Sequence, residues 1–251
     1  GADGPRPGAK ESERWLEGYA RVAELAQRVP ATRLVYVADR EADILALMVR
    51  AERLGTPADW LVRAQHNRAL PDGARLWEVL GASAPLGEIR FSAPRGTGRR
   101  ARTVRQALRI QRLDIPDRAG GEIQVTALMA SEIDPPPGVT PITWRLLTNR
   151  EATTLEAARE LIDWYRARWD IELLFLVLKE GCRVEALQLA SRERLERALA
   201  LYLIIAWRVT RLMRLGRTVP DLPADLLFEP EEWQAAYILA KQPPPATPPR
   251  L

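Results

Sequence analysis

Residues 165–181, YRARWDIELLFLVLKEG, set a tyrosine, an arginine, a glutamate and a lysine among leucine, phenylalanine and valine. On a helix turning about 100° per residue, Tyr165, Arg168, Glu172 and Lys179 share an arc of roughly 60°. Leu161 and Leu176 fall on the same arc, and the other apolar residues spread around the rest, so the pattern predicts a helix covered by protein on most sides. Charges on such a helix are rarely left unpaired. Two readings stay open. Arg168 and Glu172 could form an ordinary i,i+4 pair worth roughly 0.2–0.5 kcal/mol, with Lys179 reaching out to solvent. Alternatively, Glu172 works with a second carboxylate elsewhere in the chain.

A candidate for that carboxylate is Asp39, the first residue of "DREAD". The β-rich run "LVYVA" at 34–38 stops there, and the C-terminal ends of strands are where open α/β sheets bind ligands. Asp39 and Glu172 could share a divalent metal, because hard cations such as Mg²⁺ take oxygen ligands, usually one or two carboxylates plus substrate phosphates. The competing reading of "DREAD" is a helix N-terminus, with Asp39 as its cap and Glu41 near the dipole.

These groups must be carried by identifiable elements. Trp15, Tyr19, Val22, Ala26 and Val29 recur at helical spacing, predicting an amphipathic helix over 13–29. After "LVYVA", "EADILALMVRAERLG" returns to helical periodicity until Gly55, and "DWLVRAQ" at 59–65 is a second strand, so the core reads as α/β. The middle of the chain alternates instead. In "TVRQALRIQRL", Val104, Leu108 and Ile110 face one way and Arg105 and Arg109 the other, and "EIQVTALMA" at 122–130 repeats the pattern. Turn-rich "SAPRGTGRR" and "IDPPPGVTP" bracket these strands. "ITWRLLT" at 142–148 adds a strand before "TTLEAAREL" opens the long helix. Thr154 and Ala157 do not form a capping box. A β-rich antiparallel insertion therefore splits an α/β core.

Composition narrows the class. The chain has 251 residues, 47% hydrophobic and 28% charged, enough for one sizeable core. The only cysteine, Cys182, excludes an internal disulfide framework, suits a reducing cytoplasm and reads as a small packed side chain. The longest apolar run, "ALALYLIIAW" at 198–207, is about half the roughly 20 residues that span a bilayer, so it reads as a core helix and not a membrane anchor. The net charge of +4 is uneven, with eight arginines against one glutamate over 86–113. That patch suits a phosphate backbone and equally a solvated loop. His66, the only histidine, reads as structural.

Taken together, "YVADREADI" and the spacing of Tyr165, Arg168, Glu172 and Lys179 resemble the second acidic motif and YREK signature of bacterial insertion-sequence DDE transposases of the insertion-sequence-four type. "WRLLT" at 144–148 and "LVRAQH" at 61–66 resemble the family in the same order, and the likeness runs from about Lys10 to the tail. The resemblance implies an RNase H-like core interrupted by the β-rich insertion. It implies that residues 1–66 and 141–215 form the core, 67–140 the basic insertion and 216–251 the start of a C-terminal region. It makes Asp39 and Glu172 two of three acids holding Mg²⁺ or Mn²⁺, with Tyr165, Arg168 and Lys179 on DNA phosphates. Trp144 and Arg63 would meet a flipped base. The partners implied are double-stranded DNA, at transposon ends and target, and a second copy of the chain in a homodimer.

The family pattern also needs a first aspartate on an earlier strand. Asp3, in "GADGPRPG", sits in loop sequence, so the chain is expected to be an interior piece or remnant of a longer transposase. Two functions follow: a catalytic region that cleaves and transfers DNA strands, or an incomplete DNA-binding, dimer-poisoning remnant. An RNase H-like nuclease outside transposition gives no reason for the tyrosine, arginine and lysine to accompany Glu172.

Overall fold

A computed structural model of the chain describes residues 11–93, 102–117 and 119–251. Asp3 and the turn piece "SAPRGTGRR" beyond Ala93 lie outside the described residues, as does part of the arginine-rich stretch. The chain forms two compact units, Gly1–Arg168 and Trp169–Leu251.

The first unit is mixed α/β. Its strands β1 (Val35–Ala38), β2 (Asp59–Arg63), β3 (Gly87–Ala93), β4 (Arg102–Pro116), β5 (Glu122–Glu132) and β6 (Thr143–Thr148) form one sheet in the order β1-β2-β6-β5-β4-β3. Only β1 and β2 are parallel, as a strand–helix–strand crossover requires. Every other pairing is antiparallel. The strands of the expected insertion thus extend the same sheet as β1 and β2. The helices are α1 (Glu11–Arg28), α2 (Leu45–Arg53), α3 (Leu76–Ala82) and α4 (Leu155–Ala167).

Successive side chains point to opposite faces of a strand, and both faces here are covered. Trp60 and Val62 of β2, Val125 and Ala127 of β5 and Leu147 of β6 pack with Tyr19 of α1, Leu47 and Met48 of α2 and Leu76 and Leu80 of α3. The intervening Leu61, Leu128 and Leu146 pack with Leu161, Ile162 and Tyr165 of α4. Val104 and Leu108 are buried and Arg105 and Arg109 are not, as the alternation predicts. Gly18 lets α1 lie close to β1, since a Cβ there would sit 2.9 Å from the Tyr36 hydroxyl. Thr154 caps α4 by accepting the Ala157 N–H at 3.2 Å.

The second unit holds α5 (Asp170–Leu176), a π-turn at Val177–Gly181, the long α6 (Arg192–Thr218) and α7 (Pro230–Leu239). Ser191 caps α6, and Glu229 with Glu232 forms a capping box on α7. The run "ALALYLIIAW" is not a core helix. Leu201, Leu203, Ile204, Ile205 and Trp207 are exposed and only Ala206 of α6 is buried. Hydrophobicity implies burial only where another element is available to cover it. The proline-rich tail is anchored, because Ala224 donates to the Pro249 carbonyl at 2.8 Å and Leu251 to that of Leu222 at 3.1 Å. Among the described residues, no helix is long and apolar enough to cross a membrane.

One buried ion pair ties β4 to β5. Glu132 is 2% exposed in its side chain, meets Arg102 through both oxygens and accepts the Ile142 N–H at 2.8 Å. The Arg102 hydrogen bond holds the Glu132 carboxyl below its ordinary 4.5, against the opposing effect of burial. A depressed carboxyl stabilises the fold above the unfolded value, and that contribution is lost as pH falls through the folded one. Glu132→Ala, which leaves the Ile142 N–H unsatisfied, should therefore cost about 1–3 kcal/mol at pH 7. Urea midpoints measured at descending pH should show the gap closing below pH 4.5.

Candidate active site

β1 ends at the buried Ala38, and the next residue, Asp39, leaves the sheet at the strand's C-terminal end with its side chain 29% exposed. Its Oδ1 accepts the Arg40 N–H at 2.9 Å and so caps a single 3₁₀ turn, Arg40–Ala42. Helical structure does not run on directly from "EAD" as the periodicity predicts, because α2 begins only at Leu45. The reason lies at Asp43. Its side chain turns inward, accepts the N–H groups of Gln65 and His66 at 2.6 and 2.9 Å, and pairs with Arg68 at 2.6 Å.

Parallel pairing sets Ala38 opposite Val62, which brings Arg63 beside Asp39 with Nη1 3.7 Å from Oδ1. From α4, the buried Tyr165 directs its hydroxyl at the same oxygen, 3.5 Å away. Arg168, which ends that helix, places Nη2 3.3 Å from Oδ2. Burial raises the Tyr165 phenol above its ordinary 10 and the Asp39 charge adds to this, while Arg63 and Arg168 oppose it. The hydroxyl therefore stays protonated at neutral pH and acts as a donor. Two guanidinium groups thus face one carboxylate. Trp144 meets the Tyr165 ring edge-on at 6.0 Å, and Phe91 stacks on Trp144 at 5.3 Å and 22°. One face of the indole is thus taken.

Glu172 and Lys179 belong to the second unit. The single continuous helix expected over this stretch is interrupted. Arg168 N–H bonds back three residues to Tyr165 at 3.3 Å, α5 restarts at Asp170, and at the π-turn Cys182 N–H reaches the Val177 carbonyl at 2.8 Å. Uniform steps of 100° therefore do not describe residues 165–179. Nor is the stretch covered on most sides, since Trp169, Ile171, Phe175 and Leu176 are exposed. Glu172 is partly buried in the first turn of α5. Lys179 pairs with Glu185 at 2.9 Å, which raises its ammonium pKa, and both side chains are more than half exposed. Solvent keeps that pair weak.

Asp39 has the chemistry of a hard-cation ligand: ionised oxygen donors, partly open to solvent, with guanidinium contacts at 3.3 and 3.7 Å that a cation could displace. Among the described residues, no three His, Cys, Asp or Glu side chains cluster closely enough to hold a metal by themselves. Residues 16–208 match the family described as the transposase DDE domain. The chain belongs to the DDE transposases. Residues 204–251 match the transposase Tn5 dimerisation domain, which places this transposase in the Tn5-like insertion-sequence type. That match begins within the exposed apolar run of α6. Membership of the family implies phosphoryl transfer on nucleic acid, with divalent metal ions ordinarily required.

Asp43 and Arg68 of this transposase escape a reading of sequence alone, because nothing in local spacing announces that the loop after β2 will fold back onto "DREAD". With its side chain fully buried, Asp43 positions the loop that follows Arg63. Asp43→Ala removes one partner of a buried pair, so it should cost about 3 kcal/mol. Amide hydrogen exchange should quicken at Gln65 and His66 first.

Proposed function

We propose that the chain is the catalytic region of the transposase, cleaving and joining transposon-end DNA on an RNase H-like core. The observation that carries this reading is the convergence on Asp39 of Arg63, Tyr165 and Arg168 from two different elements. β1 is an edge strand among the described residues, so the sheet has a place for the further strand that an RNase H-like core requires. On this reading residues 1–66 and 141–215 serve as core, 67–140 as a β-rich basic insertion and 216–251 as the start of the C-terminal region, with duplex DNA and a second copy of the chain as partners.

Asp39 and Glu172 would hold Mg²⁺ or Mn²⁺, which when bound activates a water or 3′ hydroxyl and stabilises the leaving oxygen. The remaining work belongs to the protein. Arg168 presents a guanidinium fork to the phosphate and offsets charge that grows there. Tyr165 donates a hydrogen bond from a fixed, buried position. Lys179 gives up its weak pairing with Glu185 for a backbone phosphate. Trp144 offers the face opposite Phe91 to an unstacked base, an interaction worth roughly 1–3 kcal/mol, with Arg63 beside it.

The test is nicking of supercoiled plasmid by the purified chain with Mg²⁺ or Mn²⁺. Asp39→Ala and Glu172→Ala should each lower the rate at least about 100-fold, in line with the loss of other charge-stabilising groups. Cleavage that survives Glu172→Ala would sink its assigned role. Tight DNA binding without cleavage under either metal would identify the non-catalytic remnant instead. Lys179→Ala should weaken binding to transposon-end DNA while leaving the metal dependence unchanged. Equal end binding by variant and parent would refute the phosphate contact.

A further inference from the structure

A second basic feature adjoins Asp39, and its Arg40 and Arg145 side chains have no part in the assignments above. Arg40, Arg63, Ala64, Gln65, Thr143 and Arg145 line a recess of about 230 Å³. Three of these six carry guanidinium groups, two are neutral and polar, and none is acidic. The backbone around it is fixed, since Ala64 donates to the Arg145 carbonyl at 2.7 Å and Arg63 is paired with Leu146 across β2 and β6. Arg145 is further held with its guanidinium 4.9 Å from the centre of the Trp77 ring.

The charges here differ from those at Asp39. Arg63 and Arg168 both face the Asp39 carboxylate. Arg40 and Arg145, by contrast, meet no carboxylate among the described residues, and both are exposed at the recess. Cations gathered without a counter-charge repel one another, and an anion relieves that repulsion. The recess is smaller than the roughly 300–1,000 Å³ of pockets for drug-sized ligands, so it suits a single compact group. Guanidinium forks match the geometry of phosphate oxygens, and Gln65 and Thr143 add neutral donors.

We propose that this recess binds one phosphodiester of the DNA strand that passes Asp39, with Arg145 and Arg40 as its principal contacts. The assignment rests on the transposase reading above and extends it to a phosphate one side chain's reach from the metal-binding carboxylate, because Arg63 lines the recess and also faces Asp39. Contacts of this kind set the register of the strand and carry no base sequence.

The experiment measures duplex-DNA affinity of the full chain across a salt series. Loss of one phosphate contact lowers the slope of log affinity against log salt by about 0.9. Arg145→Ala should show that change together with weaker binding, and Arg145→Lys, which keeps the charge, should restore most of the slope. Arg21→Ala removes the same charge from an exposed i,i+4 pair on α1 and should leave the slope unchanged. Should Arg145→Ala lose its folded circular dichroism spectrum, Arg40→Ala provides the same test within the recess. A folded variant with the parental slope overturns the proposal. A parent chain with no salt-dependent affinity for DNA overturns the proposed role as a DNA-cleaving catalytic region, and the recess assignment falls with it.

Discussion

The placement of β2 between β1 and β6 is the constraint on which the rest of the first unit depends. This strand is parallel to one neighbour and antiparallel to the other, so it joins the α/β half of the sheet to the antiparallel half. Its register is locked by side chains as well as by the ladder. Asn149 accepts the Trp60 N–H at 2.7 Å and donates to Asp59 at 2.9 Å, while the Thr148 hydroxyl donates to the Trp60 carbonyl at 2.5 Å. A slip of one residue would exchange Trp60 and Val62 with Leu61 between the two cores and turn Arg63 away from Asp39. Packing of the core and placement of the charged cluster are thus one constraint.

The cluster around Asp39 draws on both the sheet and α4. Tyr165 is fully buried yet directs its hydroxyl at a partly exposed carboxylate, so it links the core under α4 to the charged surface above it. Burial makes the phenol harder to ionise, which preserves its donor role across ordinary pH. Arginines bring positive charge without contributing acceptors. The outcome is a carboxylate held in place by two guanidinium groups and a phenol.

The second unit follows a different logic. Its long helix exposes a run of large apolar side chains, and surfaces of that kind mark sites of association. The match to a transposase dimerisation domain covers the same residues from Ile204 onward.

Sequence by itself determined the periodic features. Alternation in β4 and β5, the amphipathic α1 and the end of β1 at Asp39 follow from local side-chain geometry, which repeats every two or 3.6 residues. The acidic and YREK motifs also pointed to the family directly. Tertiary structure alone decided the contacts between distant positions: Asp43 with the loop after β2, Phe91 on Trp144, and Arg145 beside Arg40. It also decided where the helix through Arg168 breaks, because a change from α-helical to three-residue and five-residue hydrogen bonding leaves no mark in the pattern of apolar residues. Local pattern records which face of an element is apolar. Which other element meets that face, and whether any does, depends on the packing of the whole chain.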